Sequence, residues 1–110
     1  LAAVISLAMF NRNARVRDAP LDAPKNELAY QEALMSKFRA MFCAAVKVGC
    51  RVLVVPDVGC GVYQNDPAAV GMALGYVLGN EYFGMLEVVA VCGKPEFKKA
   101  AEQGFRAGQR

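Results

Sequence analysis

A short β-branched run at residues 51–56, RVLVVP, constrains the fold of this chain more than any other segment. The run is continuous and apolar, which is typical of a strand buried on both faces of a sheet. A glycine-rich loop follows at 57–65, after which Asp66 and Pro67 suit the N-cap and first position of a helix. A strand that enters a helix through a tight loop is the repeating unit of a parallel α/β sheet.

Two other apolar runs have the length of strands. They lie at residues 2–9 and 85–92, and we predict that 4–9, 52–55 and 86–91 form adjacent parallel strands. Between the first two, apolar residues recur at the helix period over 26–48.

A last helix is predicted at 95–103, followed by a frayed tail at 104–110. The order β-α-β-α-β-α predicts one α/β domain over residues 1–110 with a mainly parallel sheet. Gly71 and Gly75 are expected to let the helix after Pro67 approach that sheet closely.

The predicted sheet is narrow for a parallel one. Three parallel strands leave two open edges, and parallel sheets normally have both faces and edges covered. The chain also begins with Leu rather than Met. We therefore expect either a domain that is incomplete at its N-terminus or a protein partner that covers an edge of the sheet.

Composition excludes several classes of protein. Hydrophobic residues make up 55% and charged residues 21%, which does not fit a disordered chain. The net charge of +3 is spread along the sequence, so no nucleic-acid interface is predicted, and no apolar run is long enough for a membrane span. Four cysteines without a CxxC pair or any histidine predict no metal site and no cofactor. Reduced thiols are the better interpretation and favour an intracellular protein, whose compartment stays open.

The loop after the central strand is the best candidate for a ligand site, since ligands of parallel sheets bind at the carboxyl ends of strands. Residues 59–67 read GCGVYQNDP. Two glycines around one residue allow backbone amides to approach an anion, and the next helix N-terminus adds its dipole. An ordinary tight turn explains the same residues equally well. The lysine of a P-loop and the third glycine of a dinucleotide fingerprint are both absent.

This loop resembles the second phosphate-binding loop of macrodomains. It is most similar to the GCGVF-x-NDP form of bacterial-type poly(ADP-ribose) glycohydrolases, and VISLAMFN and VVAVC fall in the expected order around it. The resemblance implies the C-terminal part of a three-layer α/β/α macrodomain. It also implies ADP-ribose or a related nucleotide diphosphate as the ligand.

The same resemblance implies roles for individual residues. Backbone amides would bind the diphosphate, an aromatic side chain would cover the distal ribose, and the NDP residues would contact ligand or cap the helix. These candidates are Gly59, Cys60, Gly61 and Val62 for the amides, Tyr63 for the ribose, and Asn65 and Asp66.

Two candidates outside the loop follow the other predicted strands. Phe97 fits either the place of an aromatic against adenine or the core, and Asn11 lies at a similar strand end. Cys60 has no histidine to activate it, so a thiol tucked under the turn is a better interpretation than a nucleophile.

The sequence departs from the glycohydrolases in the part that carries their chemistry. Their run of glycines followed by Gln-Glu-Glu is absent, and Gln31 and Glu32 belong to the long helix. No catalytic residue is therefore predicted. The leading hypothesis is an ADP-ribose-binding part of a macrodomain whose complete parent is an ADP-ribosyl glycohydrolase. A catalytically inactive structural subunit is the alternative, and an unrelated nucleotide-binding α/β module is a third.

Overall fold

The computed structural model describes residues 4–17 and 20–110. Within these residues the chain forms three helices and two strands, so the α/β class is confirmed. In chain order they are α1 (Glu27–Lys47), β1 (Val52–Val55), α2 (Pro67–Glu81), β2 (Val88–Val91) and α3 (Pro95–Gly108).

The two strands pair in parallel, as predicted. The register runs from Val52 opposite Val88 to Val55 opposite Val91. Because α2 connects them, β1, α2 and β2 form one parallel crossover unit. The carboxyl ends of both strands consequently lie at the same edge, where the loop after β1 and the turn before α3 meet.

The predicted first strand is wrong for its described part. Residues 4–9 have no strand structure, and residues 2 and 3 lie outside the described residues. The segment is held instead by side chains: Lys37 Nζ donates to the carbonyl oxygen of Ala8 at 2.8 Å. Val4 is 90% exposed. An apolar run indicates that a segment is at least partly buried. It does not indicate that the backbone of the segment pairs with a neighbouring strand.

The predicted three-layer arrangement is not seen in the described residues. Leu53, Val89 and Val91 pack against the core cluster, whereas Val52, Val54 and Val88 on the opposite face are exposed. One face of the sheet is therefore covered and the other is not. Side chains from all three helices supply most of the core, including Leu34, Phe38, Phe42, Val70, Leu74, Val77, Phe97 and Ala101.

Helix α1 matches its predicted span closely. Asn26 is its N-cap, and the Asn26 side chain accepts a hydrogen bond from the amide of Ala29. The buried residues Tyr30, Leu34 and Phe38 recur every four positions, which gives the helix one apolar stripe.

Glycines bring α2 and α3 into backbone contact. A Cβ at Gly75 would overlap the carbonyl oxygen of Ala101, and one at Gly104 would overlap that of Met72. The prediction that Gly71 and Gly75 face the sheet is therefore wrong, because their close neighbour is α3. The frayed tail is also corrected: α3 continues to Gly108, since Gly104 and Gly108 pack on α2.

Candidate functional site

The loop between β1 and α2 ends where the sequence predicts. Asp66 has extended backbone dihedrals, and its Oδ1 accepts a hydrogen bond from the amide of Ala68 at 3.1 Å. Pro67 is the first residue of α2. The N-cap role of Asp66 is confirmed, and its carboxylate is exposed and engaged at the helix terminus.

Five consecutive carbonyl oxygens of this loop, from Gly59 to Tyr63, all accept hydrogen bonds from the protein. The donors come from three separate parts of the chain. They are Asn65 N to Gly59 O at 2.9 Å, Lys94 Nζ to Cys60 O at 2.9 Å, Gln64 N to Gly61 O at 3.0 Å, Asn13 Nδ2 to Val62 O at 2.8 Å, and Arg12 N to Tyr63 O at 2.9 Å.

These bonds determine where the loop amides point. In a trans peptide the N–H lies opposite the C=O of the same group, and the described residues contain no cis peptide. The amides of Gly61, Val62 and Tyr63 therefore point away from the donors that hold the preceding carbonyls. None of these three amides has a hydrogen-bond partner within the described residues. We call them the amide row.

The two remaining predicted backbone donors are placed differently. The amide of Cys60 donates within the loop to the carbonyl oxygen of Asp57 at 3.2 Å. The amide of Gly59 precedes the amide row and belongs to a residue with φ of +74°. The row therefore begins at Gly61 and includes Tyr63, which sequence reasoning considered only for its ring.

The two loop glycines have different surroundings. A Cβ at Gly59 would overlap the Met9 side chain and lie 2.8 Å from Asn65 Nδ2. At Gly61 a Cβ would meet no atom within 4 Å. Gly59 is thus required by the packing of the protein itself, whereas the space beside Gly61 is open.

Side chains on the loop surface flank the amide row. Val62 is 73% exposed, although its side chain is apolar, and Tyr63 is partly exposed. Both side chains therefore remain accessible to a molecule that contacts the row.

Asn65 is buried and acts inside the protein. It is 2% exposed, and its Nδ2 donates to the carbonyl oxygens of Phe10 at 2.6 Å and Gly59 at 2.9 Å. Its Oδ1 accepts the hydroxyl proton of Tyr30 at 2.5 Å. Every polar atom of this side chain therefore holds the loop to α1 and to the N-terminal segment.

Tyr30 was missed by sequence reasoning. Its ring belongs to the apolar stripe of α1, the guanidinium of Arg12 lies 4.3 Å from the ring centroid, and burial raises the pKa of its hydroxyl. A signal did exist in the sequence, since a tyrosine within a buried stripe normally needs a partner for its hydroxyl.

Asn11 and Phe97 are also buried. The Oδ1 of Asn11 accepts the amide proton of Asn13 at 2.8 Å, and the backbone amide of Asn11 donates to Asp22 Oδ1 at 2.6 Å. Asn11 therefore stabilises the turn from which the Asn13 side chain donates to the carbonyl oxygen of Val62. Phe97 is 0% exposed within the core cluster, as the interpretation of Phe97 as a core residue expected.

Cys60 is tucked under the loop. It is 4% exposed, and its thiol donates to the carbonyl oxygen of Val58 at 3.6 Å. Burial, with a smaller contribution from the charge of Asp57, raises the pKa of this thiol to about 11. The thiol therefore stays protonated at neutral pH and is a poor nucleophile. All four cysteines lie within the described residues and are free.

Asp57 and Lys94 connect the segments that follow β1 and β2 through two hydrogen bonds. Asp57 Oδ2 accepts the amide proton of Lys94 at 3.0 Å, while Lys94 Nζ donates to Cys60 O. Gly93 has φ of +107° and lies against the Asp57 carboxylate. Neither Asp57 nor Lys94 is among the predicted ligand-binding residues, although both lie shortly after strands at the same edge of the sheet.

The most prominent cavity of the described residues lies away from this loop. It is a groove of about 870 Å³ between β2, α2 and α3, lined by apolar side chains such as Leu78, Val89 and Phe105. The amide row contributes nothing to it. Within residues 4–17 and 20–110, no cluster of three potential metal ligands occurs, and no helix is long and apolar enough to span a membrane.

Comparison with solved structures links this geometry to known proteins. The crystal structure of poly(ADP-ribose) glycohydrolase from Deinococcus radiodurans in complex with ADP-ribose matches with a TM-score of 0.60 and 24% identity, over 74% of this chain and 35% of that one. This chain is similar in structure to a bacterial poly(ADP-ribose) glycohydrolase. The resemblance of the sequence to bacterial-type poly(ADP-ribose) glycohydrolases is thereby confirmed.

Two further structures of that glycohydrolase agree. A second structure of the ADP-ribose complex is 25% identical, with a TM-score of 0.60, over 71% of this chain and 34% of the other. A mutant with ADP-ribose is 28% identical, with a TM-score of 0.56, over 72% and 32%. The chain thus spans about a third of the length of these glycohydrolases. No protein-family model and no curated protein matches it.

Proposed function

We propose that this chain binds ADP-ribose, or a related nucleotide diphosphate, at the amide row of Gly61, Val62 and Tyr63. The observation that carries the proposal is the polarity of the loop: five successive carbonyls accept hydrogen bonds from the protein, while three successive amides have no partner in the described residues. Consecutive backbone N–H groups of this kind favour an anion with several acceptor oxygens.

Charge and position also favour a diphosphate. The row lies just before α2, whose N-terminal amides carry the positive end of the helix dipole. The ammonium of Lys94 lies behind the loop and forms no ion pair within the described residues. The nucleotide part of the proposal is supported by the similar glycohydrolases, which were crystallised with ADP-ribose.

Turnover is proposed only for a protein that also supplies catalytic carboxylates. Attack of water on the anomeric carbon needs a carboxylate within hydrogen-bond reach of the reacting groups. Both carboxylates of this loop are already engaged, Asp57 at the amide of Lys94 and Asp66 at the amide of Ala68. This chain is therefore proposed to bind rather than to hydrolyse, and a complete parent to act as an ADP-ribosyl glycohydrolase.

A second candidate function is that of a catalytically inactive structural subunit. It is favoured by the exposed valines at positions 52, 54 and 88, which form an apolar sheet face of the kind that parallel sheets normally cover. We propose that another polypeptide segment, in the same protein or in a partner, covers this face. Under this candidate function the amide row is a remnant without a ligand.

Calorimetric titration of the chain with ADP-ribose, ADP and adenosine separates these functions. If the row binds diphosphate, ADP-ribose and ADP bind and adenosine binds far more weakly. Equal binding of adenosine and ADP would contradict a diphosphate site. The absence of heat with all three ligands would leave the structural subunit as the better proposal.

A further inference from the structure

Lys94 differs from the other groups that hold the loop carbonyls. Of the five donors, four are neutral amides and only Lys94 Nζ is charged. Its acceptor, Cys60 O, belongs to the same peptide group as the amide nitrogen of Gly61, the first member of the amide row. A cation is therefore bonded to one end of the peptide group whose other end has no partner within the described residues.

The position of Lys94 is well defined by a second contact. Its backbone amide donates to Asp57 Oδ2 at 3.0 Å, and Asp57 is the first residue of the loop. Lys94 is also the N-cap residue of α3, so its main chain is part of an ordered helix start. The loop and the helix therefore fix the Lys94 backbone beside the loop, and the ammonium bonds to Cys60 O from that position.

A hydrogen bond from a cation polarises the peptide group that accepts it. Charge-assisted bonds are roughly twice as strong as neutral ones, and hydrogen bonds in a chain strengthen one another. A bond from Lys94 to Cys60 O therefore makes the opposite N–H of Gly61 a better donor. It also holds that N–H in its outward direction.

We propose that Lys94 is a positioning residue of the amide row, which strengthens and orients the Gly61 amide for an anionic ligand without touching the ligand. The inference rests on the proposed function, because it assigns Lys94 a role in binding the same diphosphate. It excludes two other roles: a lysine that serves only as a solvated surface charge, and a lysine that contacts the phosphate directly.

The test compares Lys94→Met, Lys94→Gln and Lys94→Arg with Lys98→Met. Lys98 lies on the same helix and is exposed, so Lys98→Met removes the same charge without touching the loop. Two quantities are measured for each variant: the Kd for ADP-ribose, by calorimetry, and the ¹H and ¹⁵N chemical shifts of the Gly61 amide in the ligand-free protein, by NMR.

If Lys94 polarises the row, Lys94→Met weakens ADP-ribose binding roughly tenfold, the loss expected for one charge-assisted hydrogen bond. Lys94→Gln shows a smaller loss, Lys94→Arg restores the affinity, and Lys98→Met changes it less than twofold. The Gly61 amide resonance shifts upfield in Lys94→Met, returns toward its original position in Lys94→Arg, and stays in place in Lys98→Met.

Other outcomes overturn the inference. An unchanged Gly61 resonance in Lys94→Met and Lys94→Gln means that the ammonium does not act through the peptide, even if affinity falls by direct contact. If the original chain does not bind ADP-ribose, the proposed function fails separately, and the Gly61 resonance alone decides whether Lys94 polarises the row. Lys94→Arg keeps the charge, so the test remains valid if Lys94→Met unfolds.

Discussion

Gly59 and Gly61 look equivalent in the GCG sequence, but the structure gives them different tasks. Gly59 has φ of +74° and lies against Met9, so its missing side chain serves the packing of the protein. Gly61 faces open space, so its missing side chain serves only what approaches from outside.

This difference predicts opposite effects of two valine substitutions. Gly61→Val should abolish ADP-ribose binding while the melting temperature changes little, because the new side chain fills only the space before the amide row. Gly59→Val should lower the melting temperature strongly, because its Cβ overlaps Met9 and valine disfavours positive φ. Calorimetry and thermal unfolding of both variants check this. A Gly61→Val variant that folds and still binds would contradict the amide row.

Cys60 should contribute little to binding. Cys60→Ser should keep the ADP-ribose affinity within a few-fold, because the buried thiol lies beneath the loop and does not reach its surface. Calorimetry under the conditions used for Gly61→Val provides the comparison. Loss of binding in Cys60→Ser with retention in Gly61→Val would point to cysteine chemistry instead.

The raised pKa of Cys60 also predicts a pH dependence of stability. The thiol keeps its proton up to about pH 11 in the folded chain, whereas its ordinary value is 9.0. Between these values the unfolded state binds fewer protons than the folded state, so the free energy of unfolding falls as pH rises from 9 to 11. Urea denaturation at pH 8, 9 and 10 should show this fall, and Cys60→Ser should reduce it.

At the scale of secondary-structure elements, one buried contact joins α1 to the loop. The Tyr30 hydroxyl on α1 donates to Asn65 Oδ1, and Asn65 in turn bonds to Phe10 and Gly59. Lys37 Nζ, also on α1, bonds to Ala8 O and lies 4.3 Å from the Phe10 ring centroid. Helix α1 therefore supports the site from beneath, although none of its residues belongs to the amide row.

Tyr30→Phe should cost about 1–3 kcal/mol of stability, because it leaves the buried Asn65 Oδ1 without its donor. Tyr82→Phe is a matched control, since the Tyr82 hydroxyl makes a longer bond of 3.3 Å to Arg39 O in a less buried place. Denaturant unfolding of both variants measures the difference. Equal losses of unfolding free energy in the two variants would show that the Tyr30–Asn65 bond contributes no more to stability than the Tyr82–Arg39 bond.

At the scale of the whole molecule, the chain combines the candidate binding loop with a sheet that is covered on one face only. The helices pack on one face, and the valines of the other face remain exposed. The part of this chain that matches the similar glycohydrolases covers about a third of each of them. We therefore propose binding for this chain and turnover only for a longer protein that contains it.

This chain by itself should release no ADP-ribose from a modified protein. Its two loop carboxylates each bind a backbone amide of the protein, at Lys94 and at Ala68, and these contacts give them a structural role. A chromatographic assay for free ADP-ribose checks this. Release that is lost in Asp57→Asn but retained in Glu102→Gln, a surface control, would place the catalytic carboxylate at Asp57.

The fold could be predicted from sequence where local signals are strong. RVLVVP, the helix period over 26–48 and the Asp66–Pro67 start all correspond to observed elements, because side-chain period and capping chemistry act within a few residues. The loop was found for the same reason: its glycines and its position after a strand are local. The strand predicted at 4–9 was wrong, because an apolar segment forms a strand only where a neighbouring strand can pair with its backbone.

The sequence by itself determined the α/β class, the parallel unit from β1 to β2 and the loop that is the candidate site. Only the tertiary structure decided which groups of that loop are free. The carbonyls from Gly59 to Tyr63 are bonded by Asn65, Lys94, Gln64, Asn13 and Arg12, and three of these, Lys94, Asn13 and Arg12, lie far from the loop in sequence. Hydrogen bonds between distant residues depend on where packing brings the chain together, and spacing along the sequence does not record that.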